Sequence, residues 1–454
     1  MIALRLTEAA TAVEGMLTGA DGEFRGVSTD TRALVADNLF FALRGARHDA
    51  HELLDDAVRA GAAGVVVEHA APVAAPQIVV PNTRRALGEL AAAWRARFDL
   101  PLVAITGSNG KTTVKEMLAS ILRQRGPVLA TKGNLNNEIG VPLTLFGLGA
   151  EHCYAVLELG ANHPGEIGQL VSLVRPTVAA ITLCAPAHLE GFGSIAGVAR
   201  AKAEIFGQLD ASGTAVFNGD DACASDWHRA AGKARVLRFG LTEGLDVTAR
   251  DIVWDPSRAV TRFELVADDK RTPVTLALPG MHNVRNALAA AACAIALGVD
   301  LATIAAGLDQ IRAVSGRLQA KRGQAGALLL DDTYNANPGS LAAAIETLVQ
   351  FPGEHWLVLG DMGELGAQAI ALHHQAGVQA RAAGVAHLLT IGPLARHAAE
   401  GFGIGAESYA EVAAAIERLL EVTRAPAVLL VKASRAMRLE RVVAALAAQE
   451  ATTC

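Results

Sequence analysis

The sequence predicts an α/β protein of three domains, the central one built on a mostly parallel sheet flanked by helices. Three observations lead there. At 454 residues the chain is too long for one core, given about 100–200 residues per domain. Short apolar runs that end at polar or glycine residues alternate with helical stretches along most of its length. One of these runs leads through a glycine-bearing turn, Gly107-Ser108-Asn109-Gly110-Lys111-Thr112, into an amphipathic segment.

The first domain, 1–97, alternates the β-branched and aromatic runs 39–43 and 64–67 with a helical piece over 50–60. The second, 98–314, repeats strand, loop and helix, with strands expected over 102–106, 154–160, 177–184 and 213–219. Because each of these runs is apolar throughout, it suits a sheet covered on both faces, here of P-loop type. An alanine-rich helix over 286–297 and the polar stretch Val314-Ser315-Gly316-Arg317 close this domain. Strands over 327–335, 355–361, 387–392 and 427–434 then build a Rossmann-like α/β domain, 315–454. No internal repeat, low-complexity tract or heptad array interrupts the pattern.

Composition narrows the function. Hydrophobic residues make up 51% and charged residues 19%, a globular balance. The formal charge of −6 carries no basic block, which excludes a nucleic-acid binder and requires local cationic pockets for any anionic substrate. Cys153, Cys184, Cys223, Cys293 and Cys454 lie far apart with no CxxC spacing, the pattern of reduced thiols. The N-terminus lacks a basic region followed by an apolar run, and the alanine-rich stretch 287–297 is too short to span a bilayer. The expectation is a soluble, unprocessed cytoplasmic protein, taken as a monomer.

Backbone N–H groups at Gly107, Ser108, Asn109 and Gly110, with a helix N-terminus behind them, form a site for phosphate oxygens. Lys111 brings charge to the β- and γ-phosphates, and the Thr112 hydroxyl, next to Thr113, suits Mg2+, as in a Walker A loop. The pattern departs from GxxxxGK[ST] at its start, where Ile105 replaces glycine. Glu158 and His188 both close predicted strands at the edge where open α/β sheets place ligands, so with Thr112 they form a candidate magnesium set. On spacing alone, a strand-end histidine reads more readily as a hydrogen-bonded structural residue.

The segment Thr106-Gly107-Ser108-Asn109-Gly110-Lys111-Thr112-Thr113 resembles the shortened phosphate loop of the Mur ligase family, which also lacks the first glycine. The resemblance covers nearly the whole chain, through 28–32, 134–140, 158–166, 188–190, 201–204, 280–286, 316–317, 331–338 and 432–435. Asn136-Asn137, Asn162-His163-Pro164-Gly165-Glu166, Tyr334-Asn335-Ala336-Asn337-Pro338 and 360–365 are similar to the branch that adds D-alanyl-D-alanine. Leu183-Cys184-Ala185-Pro186-Ala187-His188 departs from the family, which usually has an Asn-Ile-Gly type turn before the histidine.

The resemblance implies ATP-dependent ligation of D-alanyl-D-alanine to UDP-N-acetylmuramoyl-tripeptide through an acyl phosphate, in peptidoglycan precursor synthesis. A diaminopimelate- or lysine-adding or folylpolyglutamate-like ligase is the nearest alternative, and a nucleotide-dependent switch is one from another class. Lys111, Glu158, His188 and Lys202 are implied as catalytic. Lys202 would be carbamylated by CO2 into an anionic group that orients magnesium. That chemistry needs a neutral amine, and so burial or nearby cations; in its alanine-rich context alone, Lys202 reads as a surface lysine.

Asn283 and Asn286 are assigned to the nucleotide pocket, although an asparagine at a helix start is also an ordinary cap. Arg317 and Asp332 would meet phosphate and ribose, or else form interface ion pairs. Tyr334, Asn335 and Asn337 would line the groove where nucleotide and dipeptide meet, or make a plain turn. Lys432, Ser434 and Arg435 would receive the carboxyl or acyl phosphate, or are solvated charges. Ser28, Thr29, Asp30 and Arg32 suit uridine and diphosphate, or make a capped turn. Asn134, Asn136 and Asn137 offer amides to the muramoyl peptide.

Overall fold

The computed structural model describes residues 1–45, 48–186 and 189–448. Among the described residues, three large sheets follow one another along the chain, with a two-stranded sheet beside the first. The first orders its strands Met16–Thr18, Gln77–Val79, Gly64–Val67, Leu39–Phe41 and Val27–Ser28, all parallel except at the Met16–Thr18 edge. Beside it, Ala3–Arg5 pairs antiparallel with Glu23–Arg25. The helical piece expected over 50–60 is a 3-10 turn, Ala50–Leu53, that runs into the helix Leu54–Arg59.

The central sheet has nine strands. From the far edge they are Lys270–Leu276, Val260–Ala267, Val247–Asp255, Arg235–Phe239, Thr214–Asn218, Val178–Ile181, Leu102–Thr106, Tyr154–Glu158 and Val128–Ala130. All pairings are parallel except the last two at the Lys270–Leu276 edge.

Side chains alternate across a strand with period two. Ala104, Leu157, Ala179 and Phe217 therefore enter one core, while Val103, Ile105, Val156, Ala180 and Val216 enter the other, none more than 1% exposed. Burial on both faces is why these strands are apolar without interruption. The helices Lys111–Arg123 and Met281–Ala296 cover the second face. Ala287 to Ala292 are almost fully buried there, and a larger side chain in that row would overpack the contact at about 1–3 kcal/mol. The helix Glu166–Val174 covers the first face, which also takes Leu87, Leu90 and Trp94 from the N-terminal helix Thr83–Arg95. The N-terminal domain thus shares an apolar core with the central sheet.

The alanine-rich helix begins at Met281, five residues before the expected 286. Gly280, at φ +90°, supplies the turn into it. The antiparallel meander over 247–276 lies outside the expected strands. Its cue was alternation rather than a continuous run: Thr261, Phe263, Leu265 and Ala267 are buried between more exposed neighbours.

The third sheet has six strands, ordered Gln319–Arg322, Leu328–Asp332, Ala427–Lys432, Glu354–Gly360, His387–Ile391 and Ala406–Tyr409. Only the first is antiparallel to its neighbour. Leu330, Leu357 and Leu430 face one core, and Leu329, Val358 and Leu429 the other. Among the described residues, no helix is long and apolar enough to cross a membrane.

Candidate active site

The carboxyl ends of the central and third sheets open on one cleft of about 550 Å3. Its floor is the phosphate loop. The loop needs no glycine at 105, because there the chain is still a strand: Ile105 is fully buried and in register with Glu158. Glycine becomes obligatory two residues later. Gly107 has φ +146°, and a Cβ there would fall 1.9 Å from Thr182 Oγ1. Gly110, at φ +83°, turns the chain into the helix, and a Cβ on it would meet Asn286 Oδ1 at 2.4 Å.

The segment before His188 clamps this loop. Ser108 N–H donates to the Leu183 carbonyl at 2.9 Å, and the Ser108 hydroxyl donates to the Ala185 carbonyl and accepts Ala185 N–H, each at 3.0 Å. Cys184 N–H donates to Asp221 Oδ2 at 2.7 Å. The departure from the family turn leaves residues 183–185 firmly bonded.

Four residues meet at the helix start. Thr112 Oγ1 donates to Glu158 Oε2 at 2.7 Å, and Asn136 Nδ2 donates to Glu158 Oε1 at 2.8 Å. Arg317 Nη2 donates to Thr112 Oγ1 at 2.8 Å. The Arg317 guanidinium lies 4.2 Å from the Tyr334 ring centroid, a cation–π distance. Its Nε is buried with no hydrogen-bond partner among the described residues. Lys111 folds back, donating from Nζ to the Gly107 carbonyl at 2.7 Å. Burial holds the Lys111 ammonium below its ordinary range, with Glu158 opposing. Two oxygen donors, a hydroxyl and a carboxylate, thus stand beside a cationic side chain, a donor chemistry that fits a hard divalent cation. No group of three or more His, Cys, Asp or Glu able to hold a metal occurs among the described residues, and His188 lies outside them.

Residues of the third domain complete the cleft. Asn109 and Asn337 exchange amide hydrogen bonds, Nδ2 to Oδ1, at 3.2 and 2.8 Å. Lys432 Nζ is bonded to Asp332 Oδ2 at 2.6 Å and to the Asn335 carbonyl at 2.8 Å. Lys432 and Asp332 are therefore partners, and neither pairs with Arg317. Thr113, Asn137, Tyr334 and Asn335 also line the cleft. Asn283 is held by the Pro279 carbonyl and accepts from Asn286 Nδ2 at 3.2 Å.

The remaining expected residues are either engaged at the edge of the cleft or placed outside it. Lys202 is buried at 2% exposure and is not a cleft-lining residue; its Nζ sits 5.4 Å from the Phe192 ring centroid. Burial, then the Lys111 charge, pushes its amine down to about 7. The surface-lysine reading is corrected: the last turn of the helix Ile195–Ala203 packs Lys202 inward. Asn136, assigned to the muramoyl peptide, is engaged by Glu158, and Asn137 Oδ1 accepts Gly140 N–H at 2.9 Å. Asn134 is exposed outside the cleft. Ser434 and Arg435 lie just beyond its lining; the Arg435 guanidinium is 6.0 Å from the Tyr334 ring centroid.

Ser28, Thr29, Asp30 and Arg32 belong to the first domain, away from the cleft lining. There the Arg32 guanidinium forks its own Asp30, at 2.9 and 2.7 Å, and with its backbone N–H draws that carboxyl down to about 2. His282, unassigned by the sequence, lines the cleft, and burial pushes its imidazole down to about 4, so it is neutral near pH 7. Thr182 is likewise unassigned; its hydroxyl donates to the Asn109 carbonyl at 2.5 Å.

Three stretches match family descriptions: 23–95 the Mur ligase family catalytic domain, 105–294 the Mur ligase middle domain, and 316–435 the Mur ligase, glutamate ligase domain. The chain belongs to the Mur ligase family. Within it, this Mur ligase is 46% identical over 457 residues, 100% of both chains, to the UDP-N-acetylmuramoyl-tripeptide--D-alanyl-D-alanine ligase of Escherichia coli (strain K12). Its fold is similar to a crystal structure of MurF from Acinetobacter baumannii, with a TM-score of 0.93 and 38% identity over 98% of each chain. The MurF ligase of Thermotoga maritima in complex with ADP is similar at a TM-score of 0.83 and 29% identity, covering 93% of this chain and 96% of that one.

Proposed function

We infer that this chain ligates D-alanyl-D-alanine to UDP-N-acetylmuramoyl-tripeptide, with cleavage of ATP, to give UDP-N-acetylmuramoyl-pentapeptide, ADP and phosphate for peptidoglycan. The observation that carries this reading is 46% identity along the whole chain to a ligase of that name, and the cleft suits the chemistry. The tripeptide carboxylate attacks the γ-phosphate, and the dipeptide amine then attacks the acyl phosphate, loses a proton and expels phosphate. Both steps load negative charge onto oxygens, so preorganised donors and cations supply most of the catalysis.

The N–H groups from Gly107 to Thr113 cradle the phosphates, with Lys111 and Arg317 neutralising them. Asn283 and Asn286 border the adenine side, and Asp332 accepts from the ribose. Thr112, Glu158 and, on the resemblance, His188 would hold magnesium, which when bound neutralises phosphate charge. Lys202, as a carbamate, would orient that set from behind. Asn136 acts by holding Glu158, and Asn137, Tyr334, Asn335 and Asn337 border the acceptor and dipeptide. Lys432, Ser434 and Arg435 flank the incoming carboxyl, and Asn134 lies on the muramoyl-peptide approach. Ser28, Thr29, Asp30 and Arg32 hold the UDP end, so 1–97 serves the UDP-sugar, 98–314 serves ATP, and 315–454 serves both nucleotide and dipeptide. The enzyme works as a cytoplasmic monomer.

Phosphate release from ATP plus UDP-muramoyl tripeptide, with and without D-alanyl-D-alanine, tests this. Dependence on the dipeptide together with a pentapeptide product by mass is expected. Release indifferent to the dipeptide, or driven better by diaminopimelate, lysine or glutamate, defeats it.

A further inference from the structure

Lys111 lines the cleft; Lys115, one turn further along the helix Lys111–Arg123, does not. Lys115 is only 1% exposed. Burying an ammonium costs on the order of several kcal/mol unless its protons find partners. They find them away from the cleft lining, where Nζ donates to the Thr131 carbonyl at 2.7 Å and to the adjacent Glu116 carboxylate.

Thr131 follows the strand Val128–Ala130 and is 2% exposed, with its N–H bonded to the Val156 carbonyl at 3.1 Å. Its hydroxyl accepts the backbone N–H of Glu158 at 3.0 Å. Five residues further on, Asn136 donates to the carboxylate of the same Glu158. Thr131 therefore touches the backbone that carries the carboxylate and roots the loop that supplies its amide donor. We propose that Lys115 is a positioning residue for ligation: its hold on the Thr131 carbonyl sets where Glu158 and the 131–136 loop stand relative to Thr112.

This inference rests on the ligase reading of the cleft. An apolar residue at 115 would leave the Thr131 carbonyl and the Glu116 carboxylate without their donor, and the loop would shift to find water.

The test is steady-state kinetics on the full chain, with Lys115→Met, Lys115→Arg, Thr131→Val and the Lys115→Met/Thr131→Val double variant. Because a misplacement of about 1 Å can cost on the order of 100-fold, Lys115→Met is expected to lower kcat about 10- to 100-fold while KM for ATP changes little, and Lys115→Arg recovers part of the loss. Both substitutions disturb the same placement of Glu158, so the double variant is expected to lose less than the product of the two single losses. Losses that multiply, or an unchanged kcat in Lys115→Met, overturn the proposal. If Lys115→Met does not fold, the same cycle is run with Lys115→Arg. A wild-type chain showing no dipeptide-dependent release overturns the ligase reading itself and this inference with it, so the wild-type lane separates the two failures.

Discussion

Arg317 Nη2 reaches Thr112 Oγ1 at 2.8 Å across 205 positions of sequence, so a third-domain cation occupies the ground next to the phosphate loop's own hydroxyl. The Thr112 hydroxyl accepts from Arg317 and donates to Glu158, which leaves it one lone pair. A phosphate arriving on the loop offers Arg317 a charged acceptor in place of a neutral one, and hydrogen bonds to charged groups contribute about 1.5–3 kcal/mol. Arg317→Met is accordingly expected to weaken ATP binding on the order of 10- to 100-fold by calorimetry. Arg317→Lys should not restore it, because an ammonium cannot both stack on Tyr334 and fork a phosphate. Wild-type affinity in either variant counts against a phosphate role.

The Lys202 amine makes a pH prediction whose sign can be worked out. Burial lowers it from 10.5 to about 7, so between those values the unfolded chain holds a proton that the folded chain has released. Stability from this group therefore rises with pH across that window and is lowest below about 7. Carbamate forms only from the neutral amine, so the ligation rate should fall as pH drops through 7, and added bicarbonate should offset the fall. Gentle mass analysis should find the CO2 adduct in wild type and not in Lys202→Ala. Full activity in Lys202→Ala would remove the role.

How much of this was legible in the sequence depends on the distance over which each signal acts. The phosphate loop was, because Gly107 and Gly110 are demanded by local backbone geometry. So were the inner strands, whose two buried faces leave uninterrupted apolar runs such as 102–105. The meander was passed over because its half-buried strands speak through alternation at Thr261, Phe263 and Leu265. Lys202 read as a surface residue because its helix is alanine-rich and offers no clear polar face. The bond from Asn136 to Glu158 was not legible because it spans 22 positions and leaves no periodic trace, and the same holds for the bond between Lys432 and Asp332, 100 positions apart.

Asn337 has two jobs that substitution can separate. Its side chain caps the helix Pro338–Leu348, accepting Ser340 N–H at 2.8 Å, and its amide clasps Asn109 across the cleft. Serine is a good N-cap but lacks the amide. Asn337→Ser should keep the melting temperature near wild type while raising KM for ATP several-fold. Asn337→Ala should do both kinds of harm, losing about 1 kcal/mol of cap stability. Equal KM values in wild type and Asn337→Ser would reduce the clasp to a bystander.

Glu158 uses both carboxylate oxygens as acceptors, one for Thr112 Oγ1 and one for Asn136 Nδ2, and is 3% exposed. Glutamine is nearly the same size but turns one of those acceptors into a donor. With its amide toward Asn136 a donor would meet a donor, so Glu158→Gln keeps its carbonyl on Asn136 and turns its amide to Thr112 Oγ1, whose hydroxyl must then accept and give up its own donation. It also removes the carboxylate charge that suits a hard cation. The expected outcome is a modest loss of thermal stability with a fall in kcat of roughly 100-fold or more, the scale seen when an electrostatic group is removed from an active site. The companion Asn136→Ala keeps the carboxylate but frees one oxygen, so it should lose less kcat than Glu158→Gln and need more magnesium for half-maximal rate. Equal losses in the two variants would mean that the geometry around Glu158, rather than its charge, limits the reaction.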